Sequence, residues 1–127
     1  MILAAINKPK RLIYLSFIGT VSVEELEQGR TDNVALLAEL GDGFRLLVDL
    51  SQLDAMDTKC AGEIGSVMEL LDQHGVEQVV RVIPNPVKDI GFNILSLFHY
   101  HSRPRIVTCK SLVEAGVVLG LGPGECP

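Results

Sequence analysis

LLVDLSQLDAMDTKCAG, Leu46 to Gly62, is the stretch on which the fold turns. Its first residues complete the run FRLLVDL, Phe44 to Leu50, which is apolar without a polar alternation. Such a run fits a strand covered on both faces, as in a parallel sheet. Ser51 to Asp57 then reads as a loop, and Ala61, Ile64, Val67, Met68 and Leu71 recur at helical spacing. Strand, loop and helix in this order make one unit of an α/β sheet, and the loop lies past the carboxyl end of its strand, where open α/β sheets place their sites.

Working outward, the same alternation continues in both directions. Ile2 to Ile6 is a short edge strand, and Leu12 to Ile18 (LIYLSFI) is a strand with little exposure, broken by Gly19-Thr20. Ser22 and Glu25 have the spacing of a capping box, and Glu24, Glu25 and Glu27 suit the positive end of a helix dipole. Leu26, Val34, Leu37 and Ala38 lie near one face of that helix, the weakly apolar Gly29 to Asn33 is expected to bend or fray it, and Gly41-Asp42-Gly43 ends it. His74-Gly75 closes the helix that follows the loop. Val76 to Ile83 is a third buried strand, and Asn85-Pro86 opens a helix with the stripe Val87, Ile90, Gly91, Ile94 and Phe98. Arg105 to Cys109 is the last strand. Ser111, with Glu114 as its partner, caps a helix to about Leu119. The expectation is a single α/β domain over residues 1–120, a mostly parallel or mixed sheet of about five strands with about four helices, and a flexible tail at 121–127.

Composition narrows the function. The chain has 127 residues, 47% of them hydrophobic but only 5% aromatic, so its core is aliphatic. A net charge of −5 with no basic stripe argues against nucleic acid and anionic membrane surfaces. The charges near the N-terminus follow the short apolar run instead of preceding it, which is the wrong order for a signal peptide, and no stretch approaches the ~20 apolar residues of a membrane span. With Cys60, Cys109 and Cys126 the cysteine count is odd and the spacing long, so neither a disulfide framework nor a zinc site is expected. A soluble cytoplasmic protein is the expectation, with mean hydropathy of +0.31 attributed to buried strands.

The chemistry-bearing residues are scattered. Asp57 or Thr58 can cap the helix after the loop, and Lys59 in the first helical turn opposes the helix dipole unless it meets an acidic partner. Cys60 falls near the apolar face and reads as a buried thiol, as does Cys109 at a strand end, whereas Cys126 lies in the tail. His99-Tyr100-His101 lacks a nearby carboxylate or cysteine to complete a metal site, and His74 suits a helix C-terminus. Asp49 marks a strand end and Asp54 a turn. Gly62 and Gly65 inside the helix are expected to permit close packing. No nucleophile-and-base pair, phosphate loop or zinc helix is present, so no catalytic residue, cofactor or metal is assigned.

On LLVDLSQLDAMDTKCAG (Leu46 to Gly62) and DQHGVEQVVRVIPNPV (Asp72 to Val87), the chain resembles the STAS domains, the anti-sigma-factor-antagonist (SpoIIAA-like) family, from about Leu12 to Leu119. In that family a strand ending in Asp-Leu leads to an apolar-Asp-Ser-Ser/Thr-Gly loop at a helix start. Here the strand ends in Asp49-Leu50, the loop is Met56-Asp57-Thr58-Lys59-Cys60, and the next capped helix opens at Asn85-Pro86. The family's phosphorylated hydroxyl is the second after the aspartate. That position is Lys59, Thr58 matches the first hydroxyl, Cys60 replaces the glycine, and Gly62 fits the small residue that follows. The resemblance therefore implies a regulatory protein-binding module with no enzymatic activity, contacting its partner through Met56, Asp57, Thr58, Lys59, Cys60 and Asn85. It leaves Thr58 as the phosphorylation candidate. The implied partner is a histidine-kinase-like ATPase of the anti-sigma type or a larger signalling assembly, and a homodimer stays open. The alternative is a carrier of a small apolar ligand or lipid, in a cleft near Phe92, Leu97 and Phe98.

Overall fold

The computed structural model describes residues 1–56, 59–84, 100, 102 and 104–121. At its centre β2 (Leu12–Phe17) and β4 (Phe44–Asp49) run parallel, with Leu12 opposite Arg45 and Ser16 opposite Asp49. Both strands are apolar on both faces, and each face is covered. Ile13, Leu15 and Leu46 meet the helices α1 (Val23–Leu40) and α2 (Cys60–Gln73) on one side, while Leu12 and Leu47 meet α3 (Leu112–Leu119) on the other. β6 (Val76–Val82) and β7 (Arg105–Cys109) extend the sheet in parallel, and β1 (Ile2–Asn7) closes the opposite edge antiparallel to β2. The strand order is β1-β2-β4-β6-β7, the mostly parallel five-stranded sheet expected from the sequence. Three helices lie among the described residues. The expected helix opening at Asn85-Pro86 lies outside them.

Several local expectations are corrected. Gly19-Thr20 does not simply end a strand, and Ser51 to Asp57 is not wholly a loop. Gly19, at φ +68°, turns the chain into β3 (Gly19–Val21), which pairs in parallel with β5 (Leu53–Met56) in a separate two-stranded sheet. Helix α1 runs unbroken through Gly29 to Asn33. Its capping box forms in both directions: Glu25 N–H donates to Ser22 Oγ at 3.3 Å, and Ser22 N–H donates to Glu25 Oε2 at 2.9 Å. Its buried stripe is Leu26, Asn33, Leu37 and Leu40, whereas Val34 and Ala38 are exposed. In α3, Ser111 Oγ accepts from Glu114 N–H as expected, but the Glu114 carboxylate takes the N–H of Lys110, not that of Ser111. Leu121, expected to begin a loose tail, donates its N–H to Gly116 O at 2.9 Å and packs against the α3 side of the core. Residues 122–127, Cys126 among them, lie outside the described residues.

Candidate functional site

Strand β4 ends at Asp49, whose side chain is buried and accepts from Ser51 N–H (2.9 Å) and Ser51 Oγ (2.6 Å). A short polar side chain folding back on the chain two residues ahead is how aspartate makes a turn. The turn is closed further by Leu53 N–H on Leu50 O, and Gly19 N–H on Gln52 O places the chain beside β3. Strand β5 then carries Met56, half-buried against the core, to the start of α2. The cap position of α2 falls on Lys59, whose side chain makes no capping hydrogen bond. The expected caps, Asp57 and Thr58, lie outside the described residues. Cys60 is 0% exposed and its Sγ lies 3.7 Å from Val21 O, so it ties the first turn of α2 to β3. Buried in this way, the Cys60 side chain anchors the segment from the inside.

The outward side of this turn carries one long cationic side chain beside two small residues. Lys59, Ala61 and Gly62 are all exposed, and a Cβ built on Gly62 would meet nothing within 4 Å. Gly62 is therefore not there for close internal packing, as the sequence suggested; it leaves open space beside Lys59. One turn on, Glu63 is held by Arg30 of α1 at 3.7 Å, which joins the two helices at this end. Glu63 also places negative charge in the first turn of α2, where the dipole favours it.

The remaining sequence candidates do not converge with this turn into a reactive group. Asp54 is exposed on β5 while Asp49 is enclosed by Ser51. His74 caps the far end of α2, its Nδ1 2.9 Å from Leu70 O. Cys109 is buried at the end of β7, and burial, reinforced by Glu114, pushes its thiol pKa up. Asn85, His99, His101, Phe92, Leu97 and Phe98 lie outside the described residues. Among the described residues no three His, Cys, Asp or Glu side chains gather to hold a metal, and no helix is long and apolar enough to cross a membrane. An apolar cavity of about 60 Å³ lies between the sheet and α2, bordered by Phe17, Val48, Met68, Val79, Arg81 and Tyr100. That is well below the ~150 Å³ that accommodates benzene in an engineered core. A lipid chain does not fit within it.

No family model matches the sequence, and no curated protein matches it significantly. Solved structures do match. A protein of the DUF3478 family with a SpoIIAA-like fold, from Shewanella loihica PV-4, superposes with a TM-score of 0.72 at 15% identity, over 93% of each chain. The anti-sigma factor antagonist SpoIIAA in its unphosphorylated form superposes with a TM-score of 0.66 at 13% identity, over 95% of this chain and 100% of that one. The fold is SpoIIAA-like. At these identities the likeness concerns the backbone, and it agrees with the STAS-like architecture expected from Leu46 to Gly62.

Within this SpoIIAA-like fold, Arg81, Asp72 and Asn33 are buried polar residues that sequence reasoning passed over. Arg81 on β6 and Asp72 at the end of α2 both lie near Tyr100. Asp72 accepts the Ser102 N–H at 3.0 Å, and the Tyr100 phenol is pushed up chiefly by burial, with Asp72 adding to the rise and Arg81 opposing it. The third is Asn33, 5% exposed on α1, whose Oδ1 has no hydrogen-bond partner. A polar residue at heptad spacing from Leu26 was its one sequence signal.

Proposed function

We propose that this chain is a non-enzymatic regulatory module that docks a partner protein through the segment 56–62. The supporting observation is the exposed Lys59 at the start of α2, on a turn pinned from behind by Cys60 and bordered by Ala61 and Gly62. A cation at a helix N-terminus opposes the dipole by ~0.3–1 kcal/mol when exposed. An acidic partner surface is attracted by the exposed Lys59 ammonium, and the small residues Ala61 and Gly62 beside it let the partner approach closely. The SpoIIAA-like fold is consistent with such a role, because one structure of similar fold is described as an anti-sigma factor antagonist. The proposed partner is accordingly a histidine-kinase-like ATPase of the anti-sigma type, or a signalling assembly that presents an acidic face.

Met56, Asp57, Thr58 and Asn85 belong to the same proposed surface. Thr58 is its proposed phosphoacceptor: a phosphate brings about −1.5 to −2 charges next to Lys59 and repels an acidic partner. The test is capture from native lysate with ATP present, comparing wild type with Lys59→Glu and Gly62→Leu. Gly62→Leu adds bulk only into open space, so the fold holds while the approach is blocked. Both variants are expected to lose the captured protein, an affinity drop of at least about tenfold, or ~1.4 kcal/mol. Thr58→Glu should behave as Lys59→Glu does. Retention of the same protein by both Lys59→Glu and Gly62→Leu removes the turn from the interface.

A further inference from the structure

Among the described residues β1 is one outer strand of the sheet and β7 the other. Sheet edges are ordinarily blunted, because their unpaired N–H and C=O groups template pairing with another chain. β7 begins with the charged Arg105 directly after Pro104. β1 carries no such device: Ile2 to Asn7 holds no charge, no proline and no bulge against β2. Met1 exchanges hydrogen bonds with Ile18, each of 2.8 Å, so by strand alternation Leu3, Ala5 and Asn7 turn their backbone groups toward β2. Ile2, Ala4 and Ile6 turn theirs outward, where no described residue takes them up. The strand is open to approach, with Leu3 48% exposed and Ala4 and Ala5 exposed beside it.

These outward groups are symmetric about Ala4. A second copy of β1 laid antiparallel, with Ala4 opposite Ala4, sets the Ile2 of each copy opposite the Ile6 of the other. All of these pairs are of the hydrogen-bonded kind, and at two bonds each they supply about six. Side-chain sizes match in the same register. Ile2, Ala4 and Ile6 share the α1 face of β1, so an alanine pair lies between two isoleucine pairs. On the opposite face Leu3 meets the small Ala5 of the other copy. Charge agrees at the ends. The first turn of α1 lies beside the start of β1, where Glu25 pairs with the Met1 amino group at 3.1 Å. The end of β1 leads to Lys8, which pairs with Glu39 in the last turn of α1 at 3.4 Å. The two-fold register therefore brings the exposed Glu24 of one copy toward the exposed Lys8 of the other. Asp32, which borders the same groove as Ala4, faces its own copy and is the like-charge cost, eased by Gln28 Nε2 donating to it at 3.0 Å.

We propose that the chain forms a two-fold dimer through β1, with Ala4 on the axis and the two five-stranded sheets joined into one. None of its contact residues belongs to the proposed surface at 56–62, so either can fail without the other.

Sedimentation equilibrium up to about 0.5 mM, with amide hydrogen exchange at low and high concentration, tests this. Wild type should dimerise. Exchange at the Ile2, Ala4 and Ile6 amides should slow as concentration rises, while Leu3 and Ala5, bonded to β2 in either state, should not change. Ala4→Pro removes an N–H that β2 does not use, a place where edge strands tolerate proline, and should raise Kd at least about tenfold. Leu3→Lys, at an exposed position, should do the same and serves if Ala4→Pro folds poorly. Lys8→Glu and Glu24→Lys should each weaken the dimer, and the double variant should recover it. A monomer at every concentration overturns the proposal. So does a dimer that neither Ala4→Pro nor Leu3→Lys weakens, or one in which the Ile2, Ala4 and Ile6 amides exchange unchanged, since the contact then lies on another face.

Discussion

Replacing Asn33 with leucine should stabilise the protein, although it alters a buried residue in the middle of a helix. The residue is 5% exposed, and its Oδ1 has no partner. An unmet buried acceptor costs ~1–3 kcal/mol. Leucine is also a better helix former than asparagine, by roughly 0.4 kcal/mol, and it would complete the apolar stripe of Leu26, Leu37 and Leu40. Against this stands imperfect fit: forcing a new shape into a packed site costs ~1 kcal/mol or more. The balance is a gain of about 1–2 kcal/mol. Unfolding entropy of ~2.1 cal/mol/K per residue over 127 residues makes each kcal/mol worth roughly 4 °C, so Tm should rise by roughly 4–8 °C. Thermal and urea unfolding followed by circular dichroism measure it, with an unchanged m-value required for the comparison. A fall in Tm, with Asn33→Leu less stable than wild type, would show that Oδ1 is satisfied in solution.

The capping box offers a second measurement. Ser22→Ala removes the acceptor for Glu25 N–H and should cost ~1 kcal/mol by urea unfolding. The Ser22 N–H, followed by the Met1 amino group, holds the Glu25 carboxyl below its ordinary 4.5. A depressed carboxylate adds stability above that value and loses it as pH falls through the folded pKa. Glu25→Gln should therefore be less stable than wild type at pH 7 and approach it in acid; parallel curves at all pH values would refute the link. Thiol chemistry gives a third. Cys60 and Cys109 are buried and Cys109 is pushed toward the unreactive thiol form, so with Cys126→Ser a disulfide reagent should label neither until the protein unfolds. Rapid labelling of the native Cys126→Ser protein would contradict the burial of both.

The parts of the fold legible from sequence are those in which local chemistry has one solution. LIYLSFI and FRLLVDL are apolar at nearly every position, so only a sheet covered on both faces can take them, and β2 and β4 lie side by side at its centre. Ser22 with Glu25 defines a helix start through two hydrogen bonds within four residues. Strands β3 and β5 escaped because they hold three and four residues, and each exists only by pairing with the other across more than thirty positions. Local propensity carries no such information. The face of α1 was misjudged for a different reason. At about 100° per residue, Asn33 lies about 20° from Leu26 around the helix and Leu37 about 20° on the other side, whereas Val34 lies about 80° away. Hydrophobicity chose Val34; geometry chose Asn33, and Val34 is 47% exposed. A polar residue at the angular centre of an apolar stripe is a break in the pattern that residue type alone does not reveal.

Gly62 shows the same separation between what a residue is and where it lies. Within a helix, glycine loses roughly 1 kcal/mol relative to alanine, and sequence alone offers close packing as the usual compensation. The structure removes that explanation, since a Cβ would enter open space. What remains is the outer surface, where Gly62 lies beside the exposed Lys59 and about half a turn round the helix from the buried Cys60 anchor. Gly62→Ala set beside Gly62→Leu thus divides the possibilities. If the residue matters only for folding, alanine is a gain of up to ~1 kcal/mol with no other effect. If it keeps a docking face flat, alanine raises Tm while leucine at the same position, equally free of internal clashes, abolishes capture of the partner.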